Sequence, residues 1–144
     1  MRYVSDYRAP LADIRLVLHE IADLEGICGL PGFEHVDPDT IDGVLDEFGR
    51  FAEEVIAPTH RIGDAEGCSV SDGVVTLPQA FHDAYDQYLA AGWGAVTQDP
   101  DYGGGGFPAL FQTVMTELLG TACRSWTLGP LLTVGAIDAI HRFG

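Results

Sequence analysis

Asp99-Pro100-Asp101-Tyr102-Gly103-Gly104-Gly105-Gly106-Phe107-Pro108-Ala109 decides how the rest of the chain is read. Four consecutive glycines follow a polar turn and lead straight into an apolar-periodic segment that opens with Pro108. Glycine tolerates positive φ and close backbone approach, and proline is favoured in the first helical turn. The stretch predicts a tight, shaped loop that delivers a helix. Gly104, Gly106 and Ala109 also imitate a dinucleotide fingerprint, but that reading fails on its flanks. Such a site needs a hydrophobic strand running into the glycines within a βαβ unit. Here turn residues precede the glycines, and the short apolar piece Trp93 to Val96 is cut by Gly94. No Lys-Ser/Thr follows the loop, so it is not a P-loop either.

Working outward, the segments on both sides read as helices. Leu11, Ile14, Leu18, Ile21 and Leu24 recur at helical spacing and predict a helix from Pro10 to Glu25, broken by Gly26, Gly29, Pro31 and Gly32. Asp37-Pro38 reads as N-cap and first helical residue. Ile41, Val44, Leu45, Phe48, Phe51, Ala52 and Val55 then share one face, acids line the other, and Pro58 bounds the helix. Cys68-Ser69-Val70 and Val74-Val75-Thr76 flank Asp72-Gly73, a hairpin signal. Two strands alone are marginal, so this hairpin is expected to lie on another element. Thr76 with Gln79 suggests a capping box for a helix whose stripe is Phe81, Ala84, Tyr85, Tyr88 and Leu89, ended by Gly92. Beyond the glycine loop, Leu110, Phe111, Val114, Met115 and Leu118 predict a helix closed by Gly120. A nearly all-apolar helix from Trp126 to Phe143 follows. The fold class is all-α with one short β-hairpin.

Composition bounds the function. The 144 residues suffice for one domain with a real core, and 47% hydrophobic content is globular. A net charge of −15 with only 7 Lys and Arg argues against nucleic acid and anionic membranes. No apolar run is long enough to span a bilayer, and no apolar signal core opens the chain, so a cytoplasmic location is the default. Cys28, Cys68 and Cys123 form no CxxC pair, which suggests neither a disulfide framework nor a zinc knuckle. His19-Glu20 begins like a zincin motif, but Asp23 stands where the second histidine belongs. The acids of the second helix read as its solvated face, where nothing shelters them for acid–base work. Residues alone therefore show no catalytic group and no metal site. They do show an apolar C-terminal segment with too little chain to bury it.

Four stretches carry a resemblance. Tyr7 to Glu20 resembles the N-terminal extension of the larger bacterial members of the acyl-CoA dehydrogenase family. Phe51-Ala52-Glu53-Glu54-Val55-Ile56-Ala57-Pro58, Gly73 to Phe81 with Ala91-Gly92-Trp93, and Pro100-Asp101-Tyr102-Gly103-Gly104 resemble, in family order, pieces of its N-terminal helical domain. Leu16, where an aromatic is usual, and Cys123-Arg124-Ser125-Trp126 depart from the pattern. The resemblance implies an extension over residues 1–35 and an N-terminal helical domain over 36–144. It implies a parent enzyme that uses FAD to dehydrogenate acyl-CoA thioesters at the α,β bond and is reoxidised by an electron-transfer partner. Family members continue into a β-domain and a second helical bundle, which supply most FAD contacts and the carboxylate base. This chain is therefore expected to carry no catalytic or cofactor-binding residue, to hold no flavin alone and to be inactive alone. The family's acyl pocket is walled by the helix after the Tyr-Gly-Gly loop and by the next segment, which makes Trp126, Leu128 and Leu131 candidate substrate-binding residues. Homo-oligomerisation is expected. The alternative is a non-catalytic helical module that docks on a partner subunit through its apolar C-terminal face.

Overall fold

The computed structural model describes residues 5–144. After Pro10, α1 (Leu11–Leu16) runs on into a π-helical turn (Val17–Ile21). One helix from 10 to 25 is predicted, but the chain breaks after that turn. The Ala22 N–H bonds to the Val17 carbonyl at 2.9 Å, five residues back. Asp23 then turns left-handed (φ 55°) and accepts the Gly26 N–H at 3.2 Å, opening α2 (Leu24–Cys28). The kink serves burial. It brings Leu24 into the core beside Ile14 and Leu18 and leaves Ile21 in solvent.

Asp37 caps α3 (Pro38–Phe51), its carboxylate accepting the Thr40 N–H at 2.7 Å, as the Asp-Pro pair predicts. Ile41, Leu45 and Phe48 are buried along its inner face. The predicted stop at Pro58 does not occur. A π-helical turn (Ala52–Ile56) leads into α4 (Ala57–Glu66), with the Ala57 N–H bonded to the Ala52 carbonyl. Proline offers no N–H and crowds the carbonyl four residues back. The widened turn places Pro58 in the opening turn of α4, where proline is tolerated. The buried row then continues through Ala52, Ile56, Ala57 and Thr59.

Strands β1 (Ser69–Ser71) and β2 (Val74–Thr76) pair antiparallel, Val70 opposite Val75. Asp72 and Gly73 both take positive φ, as a two-residue turn between twisted strands requires. Contrary to expectation, the hairpin lies on no other element among the described residues, and Val70, Val74 and Val75 are exposed. It is held at its base, because the flanking α4 and α5 (Gln79–Ala90) pack against each other. The capping box is absent too. Thr76 pairs with Ser69, Pro78 occupies the N-cap, and the Gln79 amide donates forward to Asp83 at 2.8 Å. Gly92 ends α5 with φ 74°, as predicted.

Two 3₁₀ turns (Trp93–Ala95 and Pro100–Tyr102) precede the glycines. Gly103 and Gly106 take positive φ. Gly104 does not, and its reason is space: a side chain there would strike the Gln98 carbonyl. Pro108 is the N-cap of α6 (Ala109–Ala122) rather than its first residue. Gly120 does not close α6. It lies inside the helix, which ends at Ala122 before the extended Cys123 (φ −156°), and α7 (Arg124–Phe143) begins at once.

The core gathers α3, the π turn after it and α6, with Ala84 and Tyr88 of α5 and Trp126 of α7 closing one side. Phe48, Phe111, Leu118 and Met115 are among its large, fully buried members. Of α7, only Trp126, Thr127 and Pro130 are buried. The all-α class with a single hairpin stands.

Candidate functional site

α6 divides its residues by helical period. Phe111, Val114, Met115, Leu118, Leu119 and Ala122 face the core. Gln112, Thr113, Thr116, Glu117, Gly120 and Thr121 are left on the other side, with Arg124 at the start of α7. They line an open groove of about 580 Å³. Small and hydroxylic side chains keep it shallow, and Gly120 gives it room beside the Arg124 guanidinium, whose Nη1 would stand 3.2 Å from a Cβ there. Apolar periodicity marks only the inner half of this helix. The interleaved Gln, Thr and Gly positions were the available signal, since they recur at the same period on the opposite face.

Hydrogen bonds fix both ends of the groove. At one end, the Thr97 hydroxyl donates to Gln112 Oε1 at 2.7 Å, and the Thr116 hydroxyl donates to the Gln112 carbonyl at 2.8 Å. At the other, the Thr121 hydroxyl donates to the Glu117 carbonyl at 2.8 Å, and the Tyr7 hydroxyl stands 2.9 Å from Thr121 Oγ1.

The three candidate residues do not form one surface. Trp126 is core: its indole N–H donates to the Phe81 carbonyl at 3.1 Å, and its ring meets Tyr88 edge-on at 5.5 Å. Burial, with Tyr85 nearby, pushes the Tyr88 hydroxyl up to about 12, so it stays protonated at any ordinary pH. Leu131 borders a small cavity with Tyr88, Gln112 and Thr116, and so adjoins the α6 groove. Leu128 is exposed on another face of α7. The spacing 126, 128, 131 explains the split, since 100° per residue sends the three in different directions.

A second, larger cleft of about 790 Å³ lies between the 3₁₀ turns and distal α7, lined by Gln98, Asp99, Tyr102, Ile137, Asp138 and His141 among others. His141 Nδ1 stands 3.9 Å from Asp99 Oδ2, a loose surface pair.

The glycine loop is closed to phosphate. The N–H groups of Gly103, Gly104, Gly105, Gly106 and Phe107 bond to the carbonyls of Pro100, Asp99, Ala95, Gln98 and Val96 at 2.8–3.1 Å. A phosphate cradle needs those donors free. No group of three His, Cys, Asp or Glu among the described residues is placed to hold a metal. No described helix is long and apolar enough to cross a membrane.

Comparison with known proteins agrees with this architecture. Residues 39–144 match the family described as "Acyl-CoA dehydrogenase, N-terminal domain". Over 138 residues, 96% of its length, the chain is 37% identical to the 3-methylmercaptopropionyl-CoA dehydrogenase of Ruegeria pomeroyi, of which it spans 24%. Over 126 residues, 85% of its length, it is 29% identical to the broad-specificity linear acyl-CoA dehydrogenase FadE5 of Mycobacterium tuberculosis, of which it spans 21%. The chain therefore spans less than a quarter of either relative. It belongs to the acyl-CoA dehydrogenase family and carries that family's N-terminal domain.

Proposed function

We propose that this chain is the N-terminal part of an FAD-dependent acyl-CoA dehydrogenase and supplies one wall of its acyl pocket. The observation that carries the reading is the family match over residues 39–144, on a helical body whose α6 presents an open groove. In this proposal the outward face of α6 and Leu131 border the acyl group, and Trp126 acts from beneath by fixing the start of α7 against Tyr88. Leu128, on a different face, serves a contact with another part of the protein. Residues 1–35 form an extension to the domain over 36–144.

FAD, when bound, accepts the hydride from the acyl thioester. The glycine-loop amides are committed elsewhere and, among the described residues, no basic cluster faces the groove. The flavin grip and the base are therefore assigned to a β-domain and a C-terminal helical domain outside these 144 residues. The two relatives' names point to different acyl groups, a methylthio-substituted short acyl and a range of linear ones. We assign only the class, an acyl-CoA thioester. The test is anaerobic mixing of the flavin-loaded protein containing this domain with acyl-CoAs. Bleaching of the oxidised flavin band with formation of the 2-enoyl product is expected, and an unchanged spectrum with every acyl-CoA would overturn the proposal. The 144 residues alone are expected to purify without flavin and without activity; stoichiometric FAD released on denaturation would reverse the assignment of the grip.

A second reading has one observation in its favour, the exposed apolar face of α7, where Leu132 is 74% and Phe143 87% exposed. In that reading the chain is a non-catalytic module that docks through α7. Flavin reduction separates the two.

A further inference from the structure

The N-terminal segment is stapled to the helical body at successive points. The Tyr7 hydroxyl meets Thr121 Oγ1 at 2.9 Å and the Leu118 carbonyl at 3.2 Å, both at the end of α6. The Ala9 N–H donates to Glu53 Oε1 at 2.8 Å, on the π turn between α3 and α4. Leu11 fills the space left by Gly49, where a Cβ would stand 2.8 Å from its Cδ2. Arg15 reaches Asp46 at 2.6 Å and Asp42 at 3.3 Å on α3. Tyr7, Ala9, Leu11 and Arg15 all precede the family match, which begins at 39.

Of these contacts, Tyr7 alone touches a residue that lines the α6 groove. The Thr121 hydroxyl lies within hydrogen-bond reach of both the Glu117 carbonyl and the Tyr7 oxygen. The two hydroxyls form a linked pair, either able to donate to the other, that reaches the Leu118 and Glu117 carbonyls. It ties the last turn of α6, with Gly120 and Thr121, to a segment outside the matched domain. The opposite end of the groove is held independently, through Thr97 and Gln112. Burial holds the Tyr7 hydroxyl above the ordinary phenol range, Thr121 pulls it back, and Glu53 and Glu117 push it up. It therefore stays protonated at physiological pH.

We propose that Tyr7 is a positioning residue that fixes the C-terminal end of the α6 groove, so that the N-terminal extension sets the length of acyl group the groove admits. This rests on the reading of α6 as an acyl-pocket wall. Tyr7 acts through Thr121 and the α6 backbone and does not itself line the groove. Without the linked pair, the last turn of α6 is free to fray and the end-stop at Gly120 and Thr121 relaxes.

The test has two arms. Amide exchange on the 144-residue chain compares the wild type with Tyr7→Phe, Thr121→Val and Thr121→Ser. Tyr7→Phe and Thr121→Val should speed exchange at Thr121, Ala122 and Cys123 by about three- to tenfold, the worth of one hydrogen bond, while Thr121→Ser restores protection. In the flavin-loaded protein, the same Tyr7→Phe change should alter KM progressively with straight-chain acyl length and leave kcat for the shortest acyl-CoA unchanged. Faster exchange with the same KM series as wild type overturns the proposal, because Tyr7 is then an anchor only. Unchanged exchange overturns it as well. If the wild type oxidises no acyl-CoA, the acyl-pocket reading falls on its own evidence, and the exchange arm still decides whether Tyr7 holds the end of α6.

Discussion

α3 and α7 are both long and rich in apolar residues, yet one is buried along its inner face and the other leaves most of its apolar residues in solvent. On α3, Ile41, Leu45 and Phe48 recur at the helical period and acids occupy the outside. On α7, Trp126, Thr127 and Pro130 meet the core, while Leu128, Leu132, Ile140 and Phe143 lie exposed. Charge follows the same division. From residue 108 onward the charged side chains are Glu117, Arg124, Asp138 and Arg142, which cancel, so the net −15 belongs to residues 1–107. An apolar position is thus evidence of burial only when its own helix presents a polar face to water.

The sharpest test of that contrast is truncation in each region. Phe48 is fully buried against Trp93 and Phe51, with ring centroids at 4.9 and 6.2 Å. Phe48→Ala should cost about 3–5 kcal/mol, enough to leave a domain of this size largely unfolded. Leu132→Ala should cost less than about 0.5 kcal/mol in the isolated chain at dilutions where it is monomeric. Chemical denaturation of both variants measures the difference. A Leu132→Ala loss near that of Phe48→Ala would mean that this face of α7 is covered in solution.

Glycines sharpen the same comparison. Gly104 sits against the Gln98 carbonyl, whereas a Cβ at Gly135 in α7 meets nothing within 4 Å. Gly104→Val should destabilise by about 1–3 kcal/mol or more through overpacking against backbone. Gly135→Ala should stabilise by about 0.5–1 kcal/mol, because alanine loses less entropy in a helix interior. Thermal melts of the two variants should move in opposite directions. If Gly135→Ala is destabilising, another helix approaches closely there.

How much of this was legible in the sequence depended on whether a signal was local. The Asp37 cap, the Asp72-Gly73 turn and the Gly92 stop were all readable, because each is decided by side-chain chemistry within a few residues. The stops assigned to Pro58 and Gly120 were not real. A π turn absorbed the proline, and Gly120 is needed for room beside Arg124 rather than for a left-handed turn. The break at Asp23 was hidden because Leu24 continues the spacing of Ile14 and Leu18 even though it reaches the core by a different path. The α6 groove went unread because its polar residues look like an ordinary solvated face. Its end anchor, Tyr7, lies 111 residues from Leu118, a separation that periodicity cannot register.

The exposed stripe of α7 also predicts behaviour in solution. Each large apolar side chain is worth about 1.5–3 kcal/mol on burial, and several lie along one helix. The isolated chain is expected to self-associate with rising concentration, against its net charge. Leu132→Glu with Phe143→Glu should return the sedimentation coefficient to that of a monomer. A wild type that stays monomeric at millimolar concentration would show that α7 is content in water and would remove the contrast with α3 at its solvent face.

The smallest effect separates the two helices at their first residues. α3 starts on the Asp37 carboxylate, while α7 starts on Cys123, which makes no side-chain cap bond. The Thr40 N–H, and after it the Thr40 hydroxyl, hold the Asp37 carboxyl below the usual aspartate range. A depressed folded pKa means a contribution that is complete above the unfolded value, about 3.9, and lost as pH falls through the folded one. Asp37→Asn keeps an acceptor for the Thr40 N–H but does not titrate. The melting temperature of the wild type should therefore exceed that of Asp37→Asn at neutral pH, and the gap should close as pH drops below about 4. Glu34, also depressed through backbone hydrogen bonds, is present in both proteins and cancels in the difference. A gap that stays constant from pH 7 to pH 3 would show that the capping bond does not depend on the charge of Asp37. The start of α3 would then be held by the packing of its buried face, much as the start of α7 is held by Trp126.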